Sequence, residues 1–364
     1  MVLAEGVSIH FRYRRAEPSR WSFLPATLTA MLLLVGSASA AATSTDDPGP
    51  QLSNIFAPVS TPAELVSELS FLVLAITGGI FAVVGGLLAY SIVRFRRRRD
   101  DDGREPPQVY GSNPIELAWT LVPVLIVFVL FLATTRTIVA VERGAPPPAL
   151  TVTVTGYQWW WEFRYEEMGV TTANELHVPV SNRDEARATL LKLRSADVVH
   201  SFWVPRLAGK TDVIPNRENT MWIEPFETGT YLGQCAEFCG TQHANMLLRV
   251  VVHSPEDFEQ WVREQRQPPV DDPRVQGGRD LFLSTACINC HTVGQTVATG
   301  TFGPDLSHLM SRETLGAGVA PNDRAHLRTW VRDPQLLKPG CLMPDMQLTE
   351  AHVDSIVDYL VTLR

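Results

Sequence analysis

A chain of 364 residues has room for two or three domains. A hydrophobic share of 45% in a chain that also carries 26 prolines indicates membrane segments beside soluble parts. A net charge of −8 argues against a nucleic-acid partner.

The N-terminal stretch carries arginines ("RYRR", then Arg20), a short apolar run ("LTAMLLLVG") and a small-residue end, "SASAA". Residues 1–40 therefore read as a signal peptide, with cleavage near Ala40. An anchor that stays in place is the alternative; the short apolar core and small, polar tail favour the signal.

Two longer apolar runs follow within a predicted transmembrane helical hairpin over 66–141. Residues 69–93 carry no charge, nor do 117–135, and spans of about 69–93 and 117–136 are long enough to cross a bilayer. A helix buried in a soluble core is the plainer reading, but uncharged runs of this length disfavour it. The connecting loop holds "RFRRRR", Arg94 to Arg99, which the positive-inside rule places in the cytoplasm. Both termini then lie outside, in agreement with an export signal.

"ERGAPPPA" is a stiff, polar exit from the second span. "LTVTVTGYQWWWEFRYE" alternates as a strand does, and short strand-like runs continue to "LLRVVV". Residues 149–253 thus form a small β-sandwich or barrel. Residues 254–272 are a capped helix, "PEDFEQWVREQ", and a linker, "RQPPVDDP". From 273 to 364 the pattern is helical.

The stretch "YLGQCAEFCGTQHANM" places Cys235, Cys239, His243 and Met246 at short intervals, with His200 upstream in "DVVHSFWVP". Thiolates, imidazoles and a thioether are a soft donor set that suits copper. One remote histidine plus a Cys–His–Met loop is the arrangement of a single-copper cupredoxin, but this loop has one thiolate more, enough to bridge two ions. From donor types alone, an extracytoplasmic disulfide and a Cys2His2 zinc site both remain open. Neither uses Met246.

The C-terminal region contains "CINCH", a C-x-x-C-H that reads as covalent c-type haem attachment through Cys287 and Cys290, with His291 as an axial ligand. A methionine downstream completes such a site. "LKPGCLMPDM" offers Met343 and Met346. Cys341 is left over, and its simplest role is a small buried residue.

"HSFWVP", "KTDVIPNR" and the C-x-E-x-C-x3-H-x2-M loop, together with "IELAWTLVP" and "GYQWWW", resemble subunit II of haem–copper cytochrome c oxidases over roughly residues 60–253. The resemblance implies a multidomain membrane protein: a two-helix transmembrane hairpin, a cupredoxin-like β-barrel and an all-α cytochrome c domain. It implies a binuclear copper A centre bridged by Cys235 and Cys239. His200 and His243 would be terminal ligands, with Met246 on one ion and the Glu237 carbonyl on the other. The Glu237 carboxylate would reach a magnesium shared with subunit I. Trp159 would be the exposed residue at which electrons arrive, with Trp160 and Trp161 as packing. A cluster like "QWWWEF" is equally at home in an aromatic core, and Glu116, taken by the resemblance as an opening to a proton path, could equally rest in the headgroup region.

"GPDL" and K-P-G-x-x-M-P resemble small class I cytochromes c over about 273–364. That resemblance selects Met343 over Met346 and has the Pro304 carbonyl hold His291. Together the two resemblances imply an electron-transfer subunit of a proton-pumping cytochrome c oxidase with a fused cytochrome c. Its partners would be subunits I and III, membrane lipid, and an upstream cytochrome c or quinol–cytochrome c reductase. It would lie in the bacterial inner membrane with both redox domains outside. The alternatives are a nitric-oxide or nitrous-oxide reductase component, and a membrane-anchored electron-transfer module without an oxidase. A quinol oxidase subunit is excluded if copper binds, since those chains lack the ligands.

Overall fold

The computed structural model describes residues 53–96, 108, 110–183 and 187–364. The expected signal peptide, 1–40, and Arg97–Arg99 of the basic loop lie outside the described residues.

Two long helices come first, α1 (Thr61–Arg94) and α2 (Asn113–Arg143). Both run past the predicted spans of 69–93 and 117–136. An apolar run marks only the part that needs a hydrocarbon solvent, whereas a helix continues until its backbone is capped. Each has proline in its first turn, where a missing N–H costs nothing. With 34 residues, α1 is about 51 Å long, more than a bilayer core requires. No residue of α2 is buried, and α1 buries only Pro62, Ala63 and Ser67. Side chains such as Phe81, Val93 and Phe131 stand exposed, as they must on helices whose solvent is lipid or a neighbouring membrane subunit.

The chain leaves α2 into ten strands: β1 (Pro148–Tyr157), β2 (Trp160–Tyr165), β3 (Val170–Ala173), β4 (Glu175–Pro179), β5 (Ala188–Ser195), β6 (His200–Trp203), β7 (Thr211–Val213), β8 (Asn219–Ile223), β9 (Gly229–Cys235) and β10 (Leu247–His253). They form two five-stranded sheets, β3-β2-β1-β5-β8 and β4-β10-β9-β6-β7. The β1–β5 and β4–β10 pairs are parallel, and the other pairs are antiparallel. Alternation drives the packing: Val152 and Val154 of β1 point inward with no exposed surface, as do Trp161, Phe163 and Phe202. The Trp161 and Phe202 rings meet edge to face at 5.6 Å. The result is a cupredoxin-like barrel.

Contacts near the membrane orient this barrel. The Trp222 indole donates to the Val141 carbonyl of α2 at 2.6 Å, and the Val59 N–H donates to the Arg206 carbonyl at 3.0 Å. Glu224 takes the Thr61 hydroxyl, and its own N–H donates to Ser60 Oγ at 2.9 Å.

Helix α3 (Pro255–Gln265) follows, capped by Ser254, whose side chain accepts from Asp257 N at 3.1 Å. Phe258, Trp261, Val262 and Gln265 recur at helical spacing and bury one face on the barrel. The final region contains α4 (Gln276–Ser284), α5 (Cys287–Cys290), a two-residue hairpin of β11 (Thr314–Leu315) and β12 (Ala320–Pro321), α6 (Arg324–Arg332) and α7 (Glu350–Leu360). The hairpin and an isolated antiparallel bridge between Thr292 and Thr299 depart from the all-α expectation. This region has a separate core, in which Phe282 and Tyr359 join α4 to α7 with ring centroids 5.7 Å apart. That crossing needs Gly278, because a Cβ there would stand 1.9 Å from the Ser355 carbonyl oxygen.

Candidate redox sites

Strands β6 and β9 and the loop after β9 bring the expected copper ligands to one end of the barrel. The sulfurs of Cys235 and Cys239 lie 3.8 Å apart and are unbonded. Cys235 Sγ lies 3.9 Å from His200 Nδ1 and 3.2 Å from the Glu237 carbonyl oxygen. Cys239 Sγ lies 3.6 Å from His243 Nδ1 and 3.8 Å from Met246 Sδ. Cys235, Cys239, His200 and Met246 are buried. The structure thus gathers all six expected donors. The donor set is soft and dense, two sulfurs at its centre with an imidazole on each side, and it fits copper ions. The Cys239 thiol hydrogen-bonds Cys235 and pulls it far below the usual thiol range against the cost of burial, while the same contact pushes Cys239 up.

Asp197 was not legible as part of this site. Its Oδ1 lies 2.7 Å from His200 Nε2, so that nitrogen carries the proton and Nδ1 keeps its lone pair toward the sulfurs. Burial raises the Asp197 pKa. The bonds from His200 and from the N–H groups of Gln158 and Val198 outweigh this and hold the carboxyl below its usual range. A carboxylate three residues before a ligand histidine was the available signal.

Gly240 shapes the loop between Cys239 and His243. Its φ is +113°, and a Cβ there would meet Trp159 Cζ2 at 3.0 Å. The Trp159 indole donates to the Cys239 carbonyl at 2.9 Å. The expectation that Trp159 is exposed is overturned: it is 8% exposed, because the C-terminal region lies over it. Trp161 packs as expected, but Trp160 does more. It stacks on Tyr157 at 4.4 Å and lines the cavity described next.

An apolar cavity in the C-terminal region is lined by Cys287, Cys290, His291, Met343 and Met346, and Trp159 and Trp160 close its barrel side. His291 Nδ1 donates to the Pro304 carbonyl at 2.8 Å, which fixes the tautomer and frees Nε2. Burial lowers the His291 pKa and keeps it neutral, as a ligand must be. Both methionines reach the cavity. Arg312 also lines it, buried; its Nη2 donates to the Asp305 carbonyl at 2.5 Å, whereas its Nε has no partner among the described residues. An unsatisfied buried guanidinium N–H beside a cysteine pair, a neutral histidine and two thioethers fits a haem, whose acidic groups would supply the missing acceptor. Cys341 lines the same cavity, half-buried, and burial raises its thiol.

The Glu237 carboxylate, unlike its carbonyl, and Glu116 lie outside these donor clusters. The Glu237 carboxylate is exposed beside Phe238, which is 76% exposed. Glu116 sits in the first turn of α2, where its Oε1 accepts from Ser112 N at 3.3 Å. Capping the helix is therefore one function it performs.

Two sites suited to electron carriers, on domains anchored by a helical hairpin, define the class of protein. Comparison with known proteins agrees. The family model for the transmembrane domain of cytochrome c oxidase subunit II matches residues 51–135, that for its periplasmic domain matches 150–254, and that for cytochrome c matches 275–364. Cytochrome c oxidase subunit 2 of Alkalihalophilus pseudofirmus is 34% identical over 306 residues, 81% of this chain and 85% of the relative. The same subunit of Bacillus sp. (strain PS3) is 31% identical, covering 74% of this chain and 80% of the relative. The crystal structure of the periplasmic domain of cytochrome oxidase subunit II from Bradyrhizobium japonicum matches at 30% identity, 34% of this chain and 96% of that one, with a TM-score of 0.31. The chain belongs to the cytochrome c oxidase subunit II family and carries a cytochrome c domain. It is an electron-transfer subunit of a membrane-anchored oxidoreductase with an extracytoplasmic domain. Its families bring a copper centre and a haem, and its expected partner is subunit I.

Proposed function

We propose that this chain takes electrons into a proton-pumping cytochrome c oxidase, accepting them at its C-terminal domain from a cytochrome c or a quinol–cytochrome c reductase. It passes them to subunit I, where dioxygen becomes water. When bound, the haem and the copper pair supply successive one-electron carriers. Cys287 and Cys290 attach the haem covalently, and His291 and Met343 hold its iron. His200, Cys235, Cys239, His243, Met246 and the Glu237 carbonyl hold two copper ions. The exposed Glu237 carboxylate faces subunit I and shares a magnesium with it.

The observation that carries this reading is the shared wall: Trp159 lines the cavity of Cys287 and His291 and donates to the carbonyl of Cys239. Asp197 and Pro304 hold the two key imidazoles in the tautomers that bind metal. Water is kept from the Met246 side by complete burial. The chain spans the bacterial cell membrane twice beside subunits I and III, with the loop of Arg94–Arg99 in the cytoplasm and both redox domains outside. Glu116 then lies at the cytoplasmic end of α2, near a proton path of subunit I.

The test is purification of the membrane complex through this chain. A large haem–copper subunit should come with it, and the complex should consume dioxygen with reduced cytochrome c and acidify the outer face of vesicles. Absence of a haem–copper partner would leave an anchored electron-transfer module instead.

A further inference from the structure

Lys338 is buried, yet among the described residues it forms no ion pair. Its Nζ donates to three carbonyls: Gly316 at 2.7 Å, Trp159 at 2.8 Å and Asn245 at 2.8 Å. Those bonds use all three of its N–H groups. Only Gly316 belongs to the domain that carries Lys338. Trp159 follows β1 of the barrel, and Asn245 stands next to Met246 in the copper loop. A buried ammonium is tolerated only when its hydrogen bonds are met, so the burial of Lys338 is conditional on the two domains being docked. In an undocked cytochrome domain it would return to water.

The surrounding contacts share this character. The buried Glu175 carboxylate of β4 accepts from Glu313 N at 2.9 Å and Thr314 N at 3.0 Å, and Leu247 N donates to the Ala317 carbonyl at 3.2 Å. Gln242 Nε2 reaches the Pro339 carbonyl, and Arg249 pairs with Glu313. Residues 313–318 are thus seated on β4 and β10, and 338–340 on the loop that presents the copper ligands. Lys338, like Thr314 and Ala317, also lines the haem cavity.

We infer that Lys338 is a positioning residue that latches the cytochrome domain onto the copper domain, so that transfer between their centres runs from one fixed geometry rather than after docking of a tethered, mobile domain. Through Trp159 the latch is continuous with Cys239: Lys338 holds the carbonyl of Trp159, whose indole holds the carbonyl of Cys239. The inference rests on the electron-transfer reading above and adds to it where the two domains sit during transfer.

The test compares Lys338→Met with the wild-type chain in the intact membrane complex by two readouts. The first is hydrogen–deuterium exchange, which needs no loaded metal. Exchange over 240–249 and 313–320 should quicken roughly tenfold or more, while 350–363, in the interior of the cytochrome domain, stays unchanged. The second is the rate of haem-to-copper electron transfer after rapid reduction. It should be independent of solvent viscosity in the wild type, and slower and viscosity-dependent in the variant at unchanged copper and haem content. An unchanged transfer rate, or exchange that rises equally in 350–363, overturns the inference. If Lys338→Met does not assemble, the wild-type rate decides: viscosity independence supports the latch, and viscosity dependence overturns it. Wild-type protein lacking copper or haem would instead refute the electron-transfer reading itself.

Discussion

The indole N–H of Trp159 donates to the carbonyl of Cys239 across 2.9 Å, and the same tryptophan forms a wall of the cavity that holds Cys287 and His291. One side chain thus touches both candidate redox sites. Its burial under the cytochrome domain leaves no open indole on which a soluble donor could land.

Trp159→Phe keeps an aromatic ring, though a smaller one, and removes the donor. The Cys239 carbonyl then loses a bond worth about 0.5–1.5 kcal/mol. Electron transfer between haem and copper should slow, while copper content stays at the wild-type value. Flash-induced transfer kinetics check this, and an unchanged rate would remove the bond from the route.

Asp197→Asn leaves the size of the side chain and takes away its charge. His200 then loses the charged carboxylate that held its Nε2 proton at 2.7 Å and faces at best a neutral, weaker amide oxygen. Loss of such a partner to a ligand histidine typically costs about 10–100-fold in metal affinity. Copper retention during titration with a competing chelator measures it, and wild-type retention would show that His200 is oriented by its packing alone.

Met343→Ala should abolish methionine ligation of the haem iron, and Met346→Ala should leave it in place. Both thioethers line the cavity, so the optical spectrum of each variant decides between them. The reverse pattern would move the ligand to Met346.

Buried His177 and partly buried His253 form a pair, with Nδ1 and Nε2 2.8 Å apart, stacked under Trp261. Burial lowers the pKa of His177, with His253 and Arg312 adding to the effect, and burial lowers that of His253 against the opposing charge of Asp257. The fold favours the neutral form of both, whereas in the unfolded chain they protonate near pH 6.5. Below that pH the unfolded state binds more protons, so stability falls as pH drops, by up to about 1.4 kcal/mol per unit for each histidine. Above it these groups contribute no slope. The thermal midpoint of the solubilised complex between pH 7.5 and pH 5, compared with His253→Gln, should show the decline and its partial removal. A flat profile in the wild type would contradict the assignment.

The metal and haem donors were legible because they are local: Cys235, Cys239, His243 and Met246 fall within one loop, and Cys287, Cys290 and His291 within one turn. The strands and the spanning helices were legible from period and length. The residues that join these pieces were hidden. Asp197, Arg312, Glu175 and Lys338 are ordinary charges in sequence, and they acquire roles only when residues more than a hundred positions away in some cases come to meet them. The error over Trp159 has the same origin. Its exposure was implied by the resemblance, since the local pattern fits a buried core equally well, and its cover is supplied by a different domain.

Copper and haem analysis of the purified complex, with an optical spectrum, tests the central claim most directly. Two copper ions and one covalently attached haem per chain are predicted. One zinc and no copper at the Cys235–Cys239 site would contradict it.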